Sequence, residues 1–264
     1  MKKTSTTTCA ANTDEKMKYK VEGILPYDTG QSKESQVRQM FDKVAPAYDK
    51  LNGLLSLGID RYWRSDALKE LRKYPHQQIL DIATGTGDFA ILAHRILKPE
   101  KIVGIDISEG MMRIGEAKTR QLGLQDAILF SQQDCAALAF PDESFDAATV
   151  AFGVRNFGQI DRSFQEILRV LKPGGVFLFL ELTTPRDKPV KQLYTLYSHY
   201  VIPFVSGIFS TEPKAYSYLP ETISAFPQGR EMMLALKKNG FTNIRLRRYT
   251  LGIATVYIAE KDKV

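Results

Sequence analysis

The chain is poor in the residues that build metal sites and disulfides. Its 264 residues hold two cysteines, Cys9 and Cys135, with no CxxC pair and no Cys/His cluster. That argues against a zinc framework, and no metal is expected. Two thiols in so long a chain fit a reducing, cytoplasmic setting. There is also no run of five or six like charges, so the net charge of +6 reads as a solvated surface and no nucleic-acid partner is expected. The opening residues "MKKTSTTTCAANTDEK" lack the apolar stretch of a secretory signal and are polar and small. Residues 1–34 are expected to be a mobile tail and linker ahead of one domain over 35–264. No internal repeat is present.

What is there is an alternation. "ESQVRQMFDKVAPAY" places Val37, Met40, Phe41 and Val44 on one helical face, with Pro46 ending it; a second helix follows over Tyr62 to Lys73. "QQILDIAT", "KIVGIDIS", "AILFSQQD", "FDAATVAFG" and "VFLFLEL" read as strands. Helices are read between them, one with Ser108 as N-cap and Gly123 as C-cap, another with Phe164, Ile167, Leu168 and Leu171 on one face. Such alternation predicts a parallel α/β sheet covered on both faces. "TNIRLRRYT" and "GIATVYIAEK" close the chain as an antiparallel hairpin at a sheet edge. The stretch 189–227 breaks the pattern. It is rich in Tyr and Phe, and no charge occurs from Gln192 to Thr211. That length could span a bilayer, but its Gln, Ser, Thr, His and Pro content favours a helical cover over an apolar pocket.

"ILDIATGTGDFAILA" carries the cofactor question. Gly85 and Gly87 form a GxG after the first strand, where a Cβ would hold the chain away from a ligand. Asp106 ends the next strand, where an acid can accept both ribose hydroxyls of an adenosine. NAD and S-adenosylmethionine share this arrangement, and Ala90 at the third glycine position does not separate them. Asp134 and Cys135 end the third strand, "PDESFD" leads into the fourth, and "RVLKPGG" precedes the fifth. In these features the chain resembles the class I methyltransferases, a Rossmann-like doubly wound fold, and S-adenosylmethionine is the expected cofactor. Asp81 is read as a contact near its methionine end or a brace for the loop, and Thr86 as a donor to its carboxylate. Met111 and Met112 are read as core that could also pack on adenine, and Cys135 as a small filler at that site.

Four further stretches sharpen the likeness. "FDKVAPAYDKLNGLLSLGIDRYWR" with Tyr48, Asp49, Asn52, Ser56 and Trp63, "AFGVRNF" with Phe152, Gly153, Arg155 and Asn156, "RVLKPGGVFLFLELT" with Glu181, and "YSHYVIP" with "AYSYLPETISAFP" resemble the ubiquinone/menaquinone biosynthesis C-methyltransferases. The resemblance runs from about Gln36 to Ile258. Asp60 departs from the family's common His, Thr183 from Ser, and Ala151 from a Ser seen in some members. The resemblance implies methyl transfer to a ring carbon of a reduced polyprenyl quinone, with Thr86, Asp106, Asp134 and Cys135 on the cofactor. A naphthoquinol is preferred to a benzoquinol on overall likeness alone. Such a substrate implies peripheral contact with a membrane, and a homodimer is possible.

A phenolic proton must leave as the ring attacks, so a base is useful. His199 and Asp49 are the candidate bases; Arg155 could stabilise a phenolate, Asn156 orient a hydroxyl, and Tyr48 do either. Ordinary structural roles compete at each: Tyr48 as core, Arg155 paired with an acid, His199 buried and hydrogen-bonded. Three other readings compete with the whole. A base-methylating enzyme would often carry an Asn/Asp-Pro-Pro-aromatic motif where this chain has "AFGVRN". An NAD oxidoreductase would share the glycines, and a non-catalytic binding protein would share the fold.

Overall fold

The computed structural model describes residues 19–197, 200 and 213–263. Strands β1 (Gln78–Ile82), β2 (Lys101–Asp106), β3 (Ile128–Gln132), β4 (Phe145–Ala151) and β5 (Leu171–Leu182) pair in parallel. β7 (Ala254–Glu260) runs antiparallel beside β5, and β6 (Thr242–Tyr249) antiparallel beside β7. The order is β3-β2-β1-β4-β5-β7-β6. It reverses at β1, where the chain steps first to one side and then to the other, and ligands of such sheets bind at that reversal.

The sequence patterns explain the layers. The central strands are continuous apolar runs because both faces are covered. Phe177 and Phe179 point to one side, with Phe164, Phe241 and Tyr257; Val176, Leu178 and Leu180 point to the other, with Trp63, Leu68 and Phe89. Phe179 stacks on Tyr257 at 4.8 Å between centroids. Burying each such aromatic contributes roughly 1.5–3 kcal/mol. β6 instead alternates, with Asn243, Arg245 and Arg247 exposed, as suits an edge strand with one wet face. The "KPGG" turn lies inside β5 as a bulge: Phe145 pairs with Leu171, then Ala147 with Val176, and Gly174 has φ +74.

The helices are α1 (Lys33–Val44), α2 (Tyr48–Leu55), α3 (Ile59–Glu70), α4 (Asp88–Leu97), α5 (Glu109–Gln121), α6 (Ile160–Val170), α7 (Lys188–Leu196), α8 (Pro213–Ala225) and α9 (Arg230–Lys238). Ser108 caps α5 by accepting from Met111 N, and Gly123 follows its end at φ +68. The helix expected to stop near Pro46 does so at Val44, but a single 3-10 turn leads straight into α2, which the sequence reading missed. Eight residues hold too few apolar positions to show a period. Among the described residues no helix is long and apolar enough to cross a membrane.

One expectation needs correction. Residues 19–34 are not linker. Val21 is fully buried, Glu22 accepts from Ile160 N at 2.9 Å, and Tyr19 donates to Asp161 at 2.8 Å. The Lys33 ammonium is buried and donates to the carbonyls of Val21 and Arg155. Burial lowers its pKa to about 8. Apart from Lys33 to Val21, these contacts reach across more than a hundred residues, so no local pattern announces them.

Candidate active site

The loop after β1 is built on left-handed backbone. Gly85 has φ +56 and Gly87 φ +77, conformations open to glycine at little cost. The loop is tied at both ends, Thr84 N to Ile105 O and Gly87 N to Thr84 O, each at 3.0 Å. Gly85 N donates to Asp106 Oδ2 at 2.8 Å, and Ser108 N to Asp106 Oδ1 at 2.9 Å. Asp106 thus joins the glycine loop to the start of α5. Below the loop, Asp81 is buried and accepts the hydroxyls of Thr84 and Thr149, each at 2.7 Å. These bonds tie Asp81 to the loop, and Asp81 also lines one of the cavities described next.

Burial pushes the carboxyls of Asp81 and Asp106 up to about 6, against the opposing pull of their hydrogen bonds. The sign follows from linkage. A carboxyl raised on folding holds a proton that the unfolded chain has already released. Its contribution to stability is present below about pH 4 and lost as pH rises through 6. Asp81→Asn cannot ionise, so its stability relative to the parent protein is expected to increase between pH 4 and 7. Urea midpoints across that range measure it, and a flat or falling difference would contradict the assignment.

Three cavities meet at the carboxyl ends of the strands. The first is lined by Asp106, Met111, Asp134, Cys135, Phe152 and Asn156 among others. Asp134 accepts from Ala136 N at 2.9 Å, and the Cys135 thiol lies 3.2 Å from Ser163 Oγ, its pKa raised by burial. Asn156 Oδ1 is buried there with no hydrogen-bond partner among the described residues. A bound molecule with a donor group would satisfy it. The second cavity is polar and holds Asp49, Asp60, Arg64, Asp81, Gly85 and Thr86. The third is mostly apolar, with Leu55, Trp63, Tyr194, Tyr197, Leu219 and Ile253 around Arg155. Tyr48 lines all three, and Phe152, at φ +63, stands between the first and third.

The structure separates the residues singled out in the sequence. Asp106, Asp134, Cys135, Gly85, Tyr48 and Asn156 come together around the first cavity. The Thr86 hydroxyl, which lines the second cavity, donates to Asp49 at 2.6 Å. Asp49 in turn pairs with Lys118 at 2.6 Å, so the carboxylate read as a base is already neutralised and hydrogen-bonded. These bonds join α2 to the glycine loop and to α5. Arg155 is buried against Glu181, Nη1 to Oε1 at 2.5 Å, and also donates to Phe152 O. Its Nε has no hydrogen-bond partner among the described residues, and it borders the apolar cavity. His199 lies outside the described residues. Thr183 is buried and donates to Gly252 O or shares a bond with Thr255. Sequence reading missed Glu181 as a site residue; a lone acid in "VFLFLEL" was its signal. It also missed Phe152 and Arg64 as walls shared between cavities.

Comparisons with known proteins identify the family. Residues 29–261 match the ubiE/COQ5 methyltransferase family. A demethylmenaquinone methyltransferase of Bacteroides fragilis is 52% identical over 245 residues, covering 93% of this chain and all of that protein. One from Porphyromonas gingivalis is 44% identical over 241 residues, covering 91% and 98%. Among solved structures, the [4+2]-cyclase SpnF superposes with a TM-score of 0.64 at 20% identity, covering 87% of this chain and 96% of that one. Haemonchus contortus phosphoethanolamine N-methyltransferase 2, solved with S-adenosylhomocysteine, gives 0.55 at 16% identity over 75% and 52%. At such identities the likeness is one of fold. The extent of the sequence match decides the rest: the chain belongs to the ubiE/COQ5 methyltransferase family.

Proposed function

We propose that this chain methylates a ring carbon of a reduced polyprenyl quinone with S-adenosylmethionine, converting demethylmenaquinol to menaquinol. The observation that carries the reading is the shared wall of the cavities. Tyr48 and Phe152 border both the cavity that holds Asp106 and the apolar one. A cofactor in the first and an aromatic ring in the other would meet there. The menaquinol direction rests on the relatives at 52% and 44% identity. A benzoquinol is the second reading, because a Geobacter sulfurreducens relative at 42% identity is called a ubiquinone/menaquinone biosynthesis C-methyltransferase.

When bound, S-adenosylmethionine supplies an electrophilic methyl group. The chain's own work is placement and charge. Asp106, Gly85, Asp134 and Cys135 form the cradle for the adenosine half. Asn156 and Tyr48 orient the ring hydroxyl, and Arg155 places positive charge where a phenolate forms. Helix α7 with its C-cap residue Tyr197, and helix α8, supply Tyr194, Tyr197, Leu219 and Ile223 as an apolar cover over the ring. The test is mass analysis of products from purified protein with labelled S-adenosylmethionine and demethylmenaquinol, the oxidised quinone, or a polyprenyl benzoquinol. Methylation of the reduced naphthoquinol above the others is expected. Turnover of the benzoquinol alone would move the assignment, and no product from either would sink it.

Peripheral membrane contact fits the same reading. Leu54, Leu57, Tyr62, Leu193, Leu196 and Leu251 are all large, apolar and exposed, Leu57 at 87% and Leu251 at 70%. Each lies within two residues in the chain of a residue lining the apolar cavity. Large exposed apolar groups beside the cavity-lining residues in the chain are what an interaction surface would use. Leu57→Glu with Leu251→Glu is expected to weaken partitioning onto anionic vesicles by about a hundredfold or more, since each leucine buried in lipid contributes on the order of 1.5–3 kcal/mol and about 1.4 kcal/mol is tenfold. Turnover of a short-tailed soluble quinol should be unchanged. Equal vesicle binding would place the contact elsewhere.

A further inference from the structure

Arg64 is a cation in the site with no task in the account above. It lies on α3, four residues after Asp60, with its side chain 13% exposed. Nε is 3.4 Å from Asp60 Oδ2, and it is buried without a hydrogen bond among the described residues. The guanidinium carbon lies 5.1 Å from the centroid of the Phe152 ring. Asp60 is itself fixed by the Ser56 hydroxyl at 2.7 Å. Arg64 faces both the polar cavity, with Gly85 and Thr86, and the apolar one, with Tyr48 and Arg155.

The polar cavity is where the methionine half of the cofactor has to lie if the adenosine half takes the first. That half brings an α-carboxylate, which needs a donor. Thr86 already donates to Asp49. Lys118 is shared between Asp49 and Asp88, each at 2.6 Å. Arg61 and Arg95 also border the cavity but are exposed. Arg64 is the enclosed guanidinium there, and a guanidinium meets a carboxylate with two parallel hydrogen bonds.

We propose that Arg64 binds the carboxylate of S-adenosylmethionine, with Asp60 as the positioning residue that holds the guanidinium against Phe152. This rests on the cofactor reading given above. It also gives a physical reason for an acid at position 60, where the family commonly has His: the carboxylate lies against the Arg64 guanidinium.

The test compares two ligands by calorimetric titration: S-adenosylmethionine and its decarboxylated form, which lacks only that carboxylate. The wild-type protein is expected to prefer the intact cofactor by roughly ten- to a hundredfold, the worth of charge-assisted hydrogen bonds. Arg64→Met should bring the ratio near one by weakening the intact cofactor alone. Asp60→Asn should fall between. Arg64→Lys should keep part of the preference, and carries the comparison if the Met variant does not fold. Equal weakening of both ligands, or none, would overturn the assignment of Arg64. Failure of the wild-type protein to bind either ligand would instead overturn the cofactor reading, and this assignment with it.

Discussion

Asp106→Ala is expected to weaken cofactor binding about a thousandfold, beyond what calorimetry with S-adenosylhomocysteine would detect. Asp106 does two things at once. It accepts from Gly85 N and Ser108 N, so it sets the shape of the glycine loop and the start of α5. It also lines the first cavity, where its remaining lone pairs would face the ribose of the cofactor proposed above. Removal strands two amide groups and deletes the acceptor. Lost hydrogen bonds to a charged group cost about 1.5–3 kcal/mol each, and roughly 4 kcal/mol is a thousandfold. Asp106→Asn keeps the volume and one acceptor but turns an N–H toward an amide donor, so an intermediate loss is expected. Affinity close to that of the parent protein in the Ala variant would show that the glycines serve another ligand.

The second large effect is on stability. Glu181 is fully buried in β5, and its carboxylate takes Arg155 Nη1, Arg155 N and Leu182 N. Glu181→Ala should destabilise the protein by about 3–5 kcal/mol, because the Arg155 charge remains buried without its partner. Arg155→Met should cost a similar amount for the mirror reason. The double variant Arg155→Met with Glu181→Leu should recover much of the loss, since an apolar pair of like volume replaces a desolvated ion pair. Urea unfolding of all three measures this. Single losses that simply add in the double variant would show that the two side chains are independent. In the role proposed above for Arg155, a guanidinium balanced by Glu181 would offer a developing phenolate its unpartnered Nε rather than a free charge.

Much of this was written locally. "QQILDIAT", "KIVGIDIS" and "VFLFLEL" are strands because β-branched and aromatic runs bounded by turn residues suit a covered sheet. Ser108 caps α5 because its hydroxyl can reach Met111 N within one turn. Gly85, Gly87 and Asp106 were legible because strand, turn and helix follow one another in the chain.

The functional assignments of polar side chains were not local. Asp49 and Thr86 read as a base and a cofactor donor; they are 37 residues apart and bond to each other. Arg155 and Glu181 sit on a 3-10 turn and a strand, and only the pairing of β4 with β5 brings them into contact. Residues 19–34 looked like linker because their anchors, Asp161, Ile160 and Arg155, lie more than a hundred positions away. The sequence by itself determined the order of strands and helices, the glycine loop and its acid, because these depend on period, turn chemistry and neighbours in the chain. Only the tertiary structure decided which charges neutralise one another and that three cavities converge on Tyr48. A side chain's hydrogen-bond capacity is consumed by whatever folding places beside it, and that partner is set by packing, not by position in the sequence.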